Sequence, residues 1–504
     1  MLLCYHNAIK MFINFLKKNF HILLLLTILS SIFRIFFMDN IQFAADQSFS
    51  FWTVYSLVVN HQVPFIGMMS SAGYYNFPLF VYFLSFLSLI YTEIRFLTFE
   101  IALLNVLAVL GFYYFARKFY SQFVAVSSSL LLSLAPWPIL FSRVIWQQDV
   151  IIVFLLPFLY FLHRLIYLKD KNSSFGLFLF GTLLMQIHTS GIFFVVITAV
   201  YAYSQKVSIK KIHAILGTVL GLIPALPYFR YQFFSGILCA DCSRLAHTRS
   251  NTFTLDIFNF LRPLELLTTS NFDFQLGKSY QEFVNSSFLV TPIQIVTLFS
   301  SILVLIGIYV VLKKKRKYNL LAVYVIFLPI LYFFTGNVAY MHYYAVIVPI
   351  VALLAGLGFQ YLLQLTKNKR IRRSLYVLFS LVLISFFLFE VLFNSFLSTK
   401  KIVLGDYARI WEVGENIMNR RLQPYRHEPY YTELKYLSSI YIYSTLFHLV
   451  AGDYLVTKNN VKGAIFEYSQ YLDGTPDIPG TPGDIQVRQK LENLKGLLQN
   501  EKQK

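Results

Sequence analysis

Two outer-loop segments carry side chains that could perform acid–base or phosphate chemistry. Asp46 lies in Phe43-Ala-Ala-Asp-Gln-Ser-Phe-Ser-Phe-Trp52, a segment that predicts a helix in the membrane interface. A carboxylate among apolar residues can act as a general base for a hydroxyl acceptor, because desolvation tunes its basicity. The alternative is that Asp46 only caps a short helix.

The second segment reads Phe141-Ser-Arg-Val-Ile-Trp-Gln-Gln-Asp149 and places a cation, an indole and a carboxylate close together. Arg143 could hold a phosphate, since its planar fork matches phosphate oxygens and stays charged. Asp149 is the candidate second carboxylate. The alternative for this segment is an interfacial anchor, because aromatic and basic residues are common at the ends of membrane spans.

Three further candidates stand at the ends of apolar segments. Arg34 lies near the end of the first one, where a charge is costly unless it reaches water or meets an anion. His188 and His342 each flank another apolar segment and could donate to a phosphate or a hydroxyl. Taken singly, each histidine is more often an interfacial residue with its own partners.

The amino-acid composition indicates whether water or lipid surrounds most of the chain. Of the 504 residues 57% are hydrophobic and only 13% charged, whereas soluble domains average about 25% charged. The net charge of +19 comes from short Lys and Arg clusters between apolar runs, so it indicates membrane topology and not nucleic-acid binding. The sequence therefore predicts an all-α polytopic membrane protein.

About eleven apolar windows are long enough to approach the roughly 20 residues that a membrane-spanning helix needs. They lie near 20–38, 97–115, 122–140, 149–167, 175–189, 191–204, 212–229, 292–312, 319–335, 341–364 and 374–394.

The segment from Phe77 to Tyr91 decides the orientation, because counting it as a twelfth span reverses every later loop. If it lies in the interface, 21 Lys and Arg residues fall on the cytoplasmic side, together with the N-terminus. The first outer loop (39–96) then keeps Arg95, the second keeps Arg143, and the long outer loop (230–291) has five basic residues. All six candidates fall on the outer side of this topology.

The chain divides into a transmembrane domain (1–397) and an extracytoplasmic C-terminal domain (398–504). The latter mixes charged and aromatic residues with a turn-rich stretch at 473–484, which predicts a small mixed α/β domain ending in an amphipathic helix. In the long outer loop, Cys239 and Cys242 could form a disulfide or remain two thiols.

These segments, in this order, resemble the multi-span glycosyltransferases of GT-C type that use lipid-phosphate sugars. The chain is most similar to the dolichyl-phosphate-mannose protein mannosyltransferase family (glycosyltransferase family 39) in its bacterial branch, which includes the lipid A aminoarabinose transferases. The segments are Arg34, Asp46, Phe77-Pro78-Leu79, Ser142-Arg143…Asp149, Gln186-Ile-His188-Thr-Ser190 and His342-Tyr-Tyr…Pro349. Many members have Asp-Glu where this chain has Asp46-Gln47.

The resemblance implies a glycosyltransferase that moves a sugar from a polyprenyl-phosphate donor to a lipid, glycan or protein hydroxyl, with inversion. Asp46 would be the base and Asp149 the second carboxylate, with Arg34, Arg143, His188 and His342 as phosphate or acceptor contacts. No cofactor is expected, although Asp46 and Asp149 could supply oxygen ligands to a divalent cation. The partners would be the donor, the acceptor and membrane lipids.

Two other classes of protein remain as alternatives. A transporter or flippase of lipid-linked saccharides would need broken helices, inverted repeats or ionisable residues near the midplane. An inactive scaffold would tolerate substitution at all six candidate positions. The bacterial character of the matching segments predicts a plasma-membrane location.

Overall fold

The computed structural model describes twelve stretches of the chain. They are residues 14–38, 40–41, 45–59, 61–68, 75–235, 257–314, 318–333, 339–399, 408–409, 417–441, 446–474 and 482–503. Cys239, Cys242 and the middle of the long loop at 230–291 lie outside them, so the predictions made for those residues stay predictions.

Apolar helices make up most of the described transmembrane region. They are α1 (Phe20–Ile35), α2 (Ala45–Val58), α3 (Leu79–Leu87), α4 (Ile94–Phe119), α5 (Gln122–Leu134), α6 (Pro136–Leu140), α7 (Gln147–Tyr167), α8 (Ser174–Ile187), α9 (Thr189–Ser204), α10 (Lys211–Leu222), α11 (Leu226–Ser235), α12 (Arg262–Glu265), α13 (Phe272–Leu276), α14 (Tyr280–Asn285), α15 (Val290–Tyr309), α16 (Asn319–Phe333), α17 (Val348–Leu365) and α18 (Lys369–Thr399). A 3₁₀ stretch at Met341–Ile347 leads into α17.

Six helical segments among the described residues are long and apolar enough to cross a membrane. They are Ile94–Phe119, Gln147–Tyr167, Lys211–Phe233, Val290–Lys314, Met341–Leu365 and Lys369–Thr399. Several other predicted windows hold shorter apolar helices, such as α1 and α9. The chain is therefore a helical membrane protein, and the count of eleven spans stays a prediction.

The helix α3 covers most of the segment from Phe77 to Tyr91. It has nine residues, which at 1.5 Å per residue gives about 14 Å, far less than the roughly 30 Å of a bilayer core. Pro78 precedes its first residue and serves as its N-cap. This length agrees with an interfacial segment.

Small residues allow the closest helix contacts in the bundle. A Cβ atom added at Gly307 of α15 would collide with the carbonyl of Leu354, and one at Gly358 of α17 with the carbonyl of Leu303. Only glycine permits backbones to approach so closely, as is common between membrane helices. This packing fixes α17, which begins just after His342.

The C-terminal region is mainly helical where the structure describes it, and the predicted mixed α/β domain stays a prediction. Its described residues form a turn of helix at 417–422 and the helices α19 (Tyr431–Ile440), α20 (Leu446–Thr457), α21 (Val461–Gly474) and α22 (Pro482–Gln503). The strand β2 (Ala408–Arg409) pairs antiparallel with β1 (Asn40–Ile41) of the first loop. The predicted C-terminal amphipathic helix falls on α22, whereas most of the turn-rich stretch at 473–484 lies outside the described residues.

Candidate active site

The loop before α7 forms the centre of the site, and Asp149 stabilises its conformation. Oδ2 of Asp149 accepts the backbone N–H of Val144 at 2.8 Å. The Asn105 amide of α4 donates to the Asp149 carbonyl at 2.8 Å, which ties the start of α7 to α4. Oδ1 of Asp149 is buried and accepts no hydrogen bond from the described part of the chain. Asp149 therefore has a loop-positioning contact in addition to its predicted role.

Trp146 of this loop joins two of the predicted residues. Its indole N–H donates to Oδ2 of Asp46 at 3.3 Å, and its ring packs on His342 with a centroid separation of 4.9 Å. Asp46 is exposed in the first turn of α2, whereas His342 is buried and its Nδ1 has no partner. The Trp146 indole thus lies between the solvent-accessible carboxylate of Asp46 and the buried imidazole of His342.

His188 interrupts the helix pair α8 and α9 and joins the same group of side chains. It has extended backbone dihedrals, and its Nδ1 accepts the backbone N–H of Ser190 at 3.2 Å. Nε2 lies 3.2 Å from the Gln148 side-chain amide, and the ring stacks on Tyr343. His188 is thereby tied both to the first turn of α9 at Ser190 and to the first turn of α7 at Gln148.

Arg143 has a buried guanidinium that is only partly satisfied. Its Nη1 donates to the carbonyls of Phe33 and Phe37 at 3.0 and 3.3 Å, and to Oδ1 of Asn394 at 3.0 Å. Nη2 and Nε are buried and have no hydrogen-bond partner among the residues that the structure describes. Unpaired charged donors are costly in a low-dielectric interior, so this side chain is suited to receive an anion.

Arg34 differs from Arg143, because backbone carbonyls occupy most of its donors. It donates to Ser30, to Ser133 at 2.8 Å and to Leu132 at 3.0 Å, the last two at the C-terminal end of α5. A cation there offsets the partial negative charge of the helix end. Arg34 also lines a cavity of about 30 Å³ together with Asn105 and Gln148, enough for about one water molecule.

Two residues that the sequence reading missed complete the buried part of the site. Glu390 of α18 is 1% exposed and accepts the Asn394 side-chain amide at 2.9 Å. It lies within electrostatic range of both Arg34 and Arg143. Oδ1 of Asn394 also accepts a hydrogen bond from the side-chain amide of Asn40, the first residue of β1. Glu390 could have been identified from the sequence, because an ionisable residue inside an apolar window is a functional candidate.

The structure thus places five of the six predicted residues in two groups around the loop before α7, and the sixth, Asp149, holds that loop at Val144. Asp46 and His342 meet at Trp146 of the loop, and His188 meets Gln148 in the first turn of α7. Arg34 and Arg143 lie buried around Glu390. Among the described residues, no group of three or more His, Cys, Asp or Glu side chains could hold a metal ion.

The chain is similar in structure to known proteins but matches no known sequence family. No protein-family model matches the chain, and no curated protein matches it. The apo oligosaccharyltransferase from Archaeoglobus fulgidus superposes with a TM-score of 0.49 at 14% identity, covering 84% of this chain and 59% of that one. The same organism's AglB, in complex with an inhibitory peptide and a dolichol-phosphate, gives 0.45 at 14% identity, covering 84% and 60%.

ArnT from Cupriavidus metallidurans, bound to undecaprenyl phosphate, superposes with a TM-score of 0.47 at 10% identity, covering 91% of this chain and 76% of that one. The matched part of this chain spans about 59% of the length of the first oligosaccharyltransferase. None of these three TM-scores reaches 0.5.

Proposed function

We propose that this chain is a membrane glycosyltransferase of GT-C type that uses a polyprenyl-phosphate sugar as donor and a hydroxyl group as acceptor. The observation that supports it best is the single loop that connects an exposed carboxylate with a buried, partly unpaired guanidinium. Trp146 of this loop holds Asp46, and Arg143 of the same loop has two unpaired donor nitrogens. The proposed base and the proposed anion site are thereby both positioned by the loop before α7.

The reaction would proceed with inversion at the anomeric carbon. Asp46 removes the proton of the acceptor hydroxyl, whose oxygen forms the new bond to the anomeric carbon. The bond between that carbon and the phosphate oxygen breaks, and its electron pair remains on the polyprenyl phosphate. Arg143 stabilises the charge that develops there, and a preorganised cation in a dry site favours this transition state over the ground state.

The two histidines and Arg34 would have distinct tasks. His188, between α8 and α9, and His342, in the 3₁₀ stretch before α17, flank the loop and can contact the acceptor or the phosphate. Arg34 holds the end of α5 and borders the small cavity next to Gln148. We assign it to positioning more than to direct contact, because only its Nε is unpaired.

Asp46→Asn is the decisive substitution. Membranes that contain the natural chain or this variant are supplied with radiolabelled polyprenyl-phosphate hexoses and pentoses, and label that leaves the carrier is counted. We expect transfer by the natural chain and its loss in Asp46→Asn. Asp473→Asn, the same chemical change at an exposed position of α21, is the matched control.

Insertion and expression of each variant are checked by protease protection and immunoblotting. Transfer that persists in a correctly inserted Asp46→Asn variant contradicts the assignment of the base. No transfer from any carrier by the natural chain contradicts the enzyme assignment and favours transport of lipid-linked saccharides.

A further inference from the structure

A large apolar groove lies between α1 with its preceding turn and α4, away from the candidate active site. Its volume is about 560 Å³, within the range of about 300–1,000 Å³ that is usual for ligand sites. Phe20, Leu24, Leu107 and Tyr114 are among its lining residues. Phe20, Leu24 and Leu107 each expose about half of their surface, so the groove opens towards the lipid.

One end of this groove is marked by a contact between two aromatic rings. Phe15, which precedes α1, packs edge-on against Tyr114 of α4 with a centroid distance of 5.0 Å. Residues three or four positions apart lie on one helix face. Lys18 therefore shares a face with Phe15, and both Arg117 and Lys118 share a face with Tyr114. Nζ of Lys118 lies 5.9 Å from the Tyr114 ring centroid.

These three cations have no acidic counterpart close by in sequence. Residues 14–38 and 101–119 contain no Asp or Glu, and the structure describes no ion pair for Lys18, Arg117 or Lys118. Lys118 donates a hydrogen bond to the Tyr160 hydroxyl at 2.7 Å, which holds its ammonium group at this end of α4. An apolar groove with three uncompensated cations at its mouth is complementary to an amphiphile with a negative headgroup.

We propose that this groove binds one anionic phospholipid, with an acyl chain along α1 and α4 and the phosphate at Lys18, Arg117 and Lys118. This site goes beyond the proposed function. Lys18 and Arg34 are separated by 16 residues of mostly helical chain, or about 24 Å at 1.5 Å per residue. A phosphate held by Arg143 near Arg34 therefore cannot also reach the mouth of the groove, so the proposed headgroup site is distinct from the proposed active site.

The test compares lipid affinities of the full-length chain in a neutral detergent by native mass spectrometry. Phosphatidylglycerol and phosphatidylcholine with identical acyl chains are titrated, and polyprenyl phosphate is added as a competitor. For the natural chain we expect one site at which phosphatidylglycerol binds at least tenfold more tightly than phosphatidylcholine. Basic clusters near a membrane surface attract anionic lipids in this way.

Two variants address the two halves of the site. Lys18→Gln with Arg117→Gln removes two mouth cations, and we expect phosphatidylglycerol affinity to fall roughly thirtyfold, at about 1 kcal/mol for each basic residue. Lys211→Gln with Arg372→Gln removes one exposed lysine and one exposed arginine elsewhere, and should leave the affinity unchanged. Gly111→Leu adds bulk to the groove, where a Cβ meets only Leu156 at an ordinary 3.7 Å, and should weaken both lipids without changing the charge.

Equal affinity for the two phospholipids, or an equal loss in the control variant, would overturn the proposal in favour of non-specific lipid contact. Displacement of phosphatidylglycerol by an equimolar amount of polyprenyl phosphate would overturn it in favour of a donor-chain groove. Because no sugar transfer is measured, failure here leaves the proposed enzyme activity untouched.

Discussion

The indole N–H of Trp146 lies 3.3 Å from Oδ2 of Asp46, although the two residues are 100 positions apart in the chain. This contact joins the loop that carries Arg143 to the helix that carries the proposed base. It also places the Trp146 ring against His342. The indole therefore orients the carboxylate and shields the imidazole behind it from water.

Trp146→Phe should separate these two tasks. Phenylalanine keeps an aromatic ring beside His342 but removes the donor to Asp46. A hydrogen bond to a charged group contributes about 1.5–3 kcal/mol, and this one lies at the surface, so we expect kcat to fall about tenfold with the KM for the donor nearly constant. The measurement is steady-state sugar transfer in detergent. A change confined to the donor KM would place Trp146 in donor binding instead.

Arg143→Lys should reduce turnover more strongly. Lysine keeps the positive charge but lacks the planar guanidinium group and its additional N–H donors. Loss of one or two charge-assisted hydrogen bonds to the leaving phosphate predicts a fall in kcat of about 10- to 100-fold. Arg370→Lys, at an exposed position of α18, is the control. Normal turnover in Arg143→Lys would contradict the assignment of Arg143 to the phosphate.

The sequence predicted the helical membrane class and the residues at the ends of apolar windows, because hydropathy and charge clusters are local signals. It did not predict the role of Glu390, which is hidden inside a window whose average hydropathy is high. The sequence also did not predict that Asn40 of β1 pairs with Arg409 of β2. Contacts between distant segments depend on tertiary packing, which periodicity does not encode.

The same limit applies to the two arginines. Both stand at span ends and look equivalent in sequence, yet backbone carbonyls occupy most donors of Arg34, whereas Arg143 keeps two buried nitrogens unpaired. Which arginine is left for an anion depends on where the end of α5 lies, and no residue pattern specifies that position.

Glu390→Gln should destabilise the protein. The substitution keeps a partner for the Asn394 amide but leaves the Arg34 and Arg143 charges without their nearby carboxylate. Removing one member of a buried charge group typically costs about 3–5 kcal/mol when no compensation remains. We expect a clear fall in the midpoint of thermal unfolding in detergent, measured by intrinsic fluorescence.

Glu100→Gln is the matched control for this prediction. Glu100 is also a buried carboxylate on a membrane helix, but its Oε2 has no hydrogen-bond partner among the described residues. Neutralising it relieves a desolvation cost without breaking an observed bond, so stability should stay the same or rise. Equal losses in both variants would show that the arginines do not depend on Glu390.

The C-terminal helices should affect catalysis through the helix that carries Asp46. On α2, Tyr55 packs on Tyr436 with a centroid distance of 5.5 Å, and Trp52 lies 6.5 Å from Tyr441. Tyr436 is 45% exposed, and its partial burial together with the neighbouring Tyr55 hydroxyl raises the pKa of its phenol. Together with the pairing of β1 and β2, these contacts hold both sides of Asp46.

Tyr436→Ala should therefore loosen α2 while leaving the buried arginines in place. Aromatic pairs contribute about 0.5–1.5 kcal/mol beyond their burial, so we expect kcat to fall severalfold while donor affinity, measured by equilibrium binding, stays unchanged. Phe466→Ala removes an exposed ring of α21 and should have no effect. If Tyr436→Ala instead weakened donor binding and turnover in parallel, the C-terminal helices would support the donor pocket, and α2 would not be their point of action.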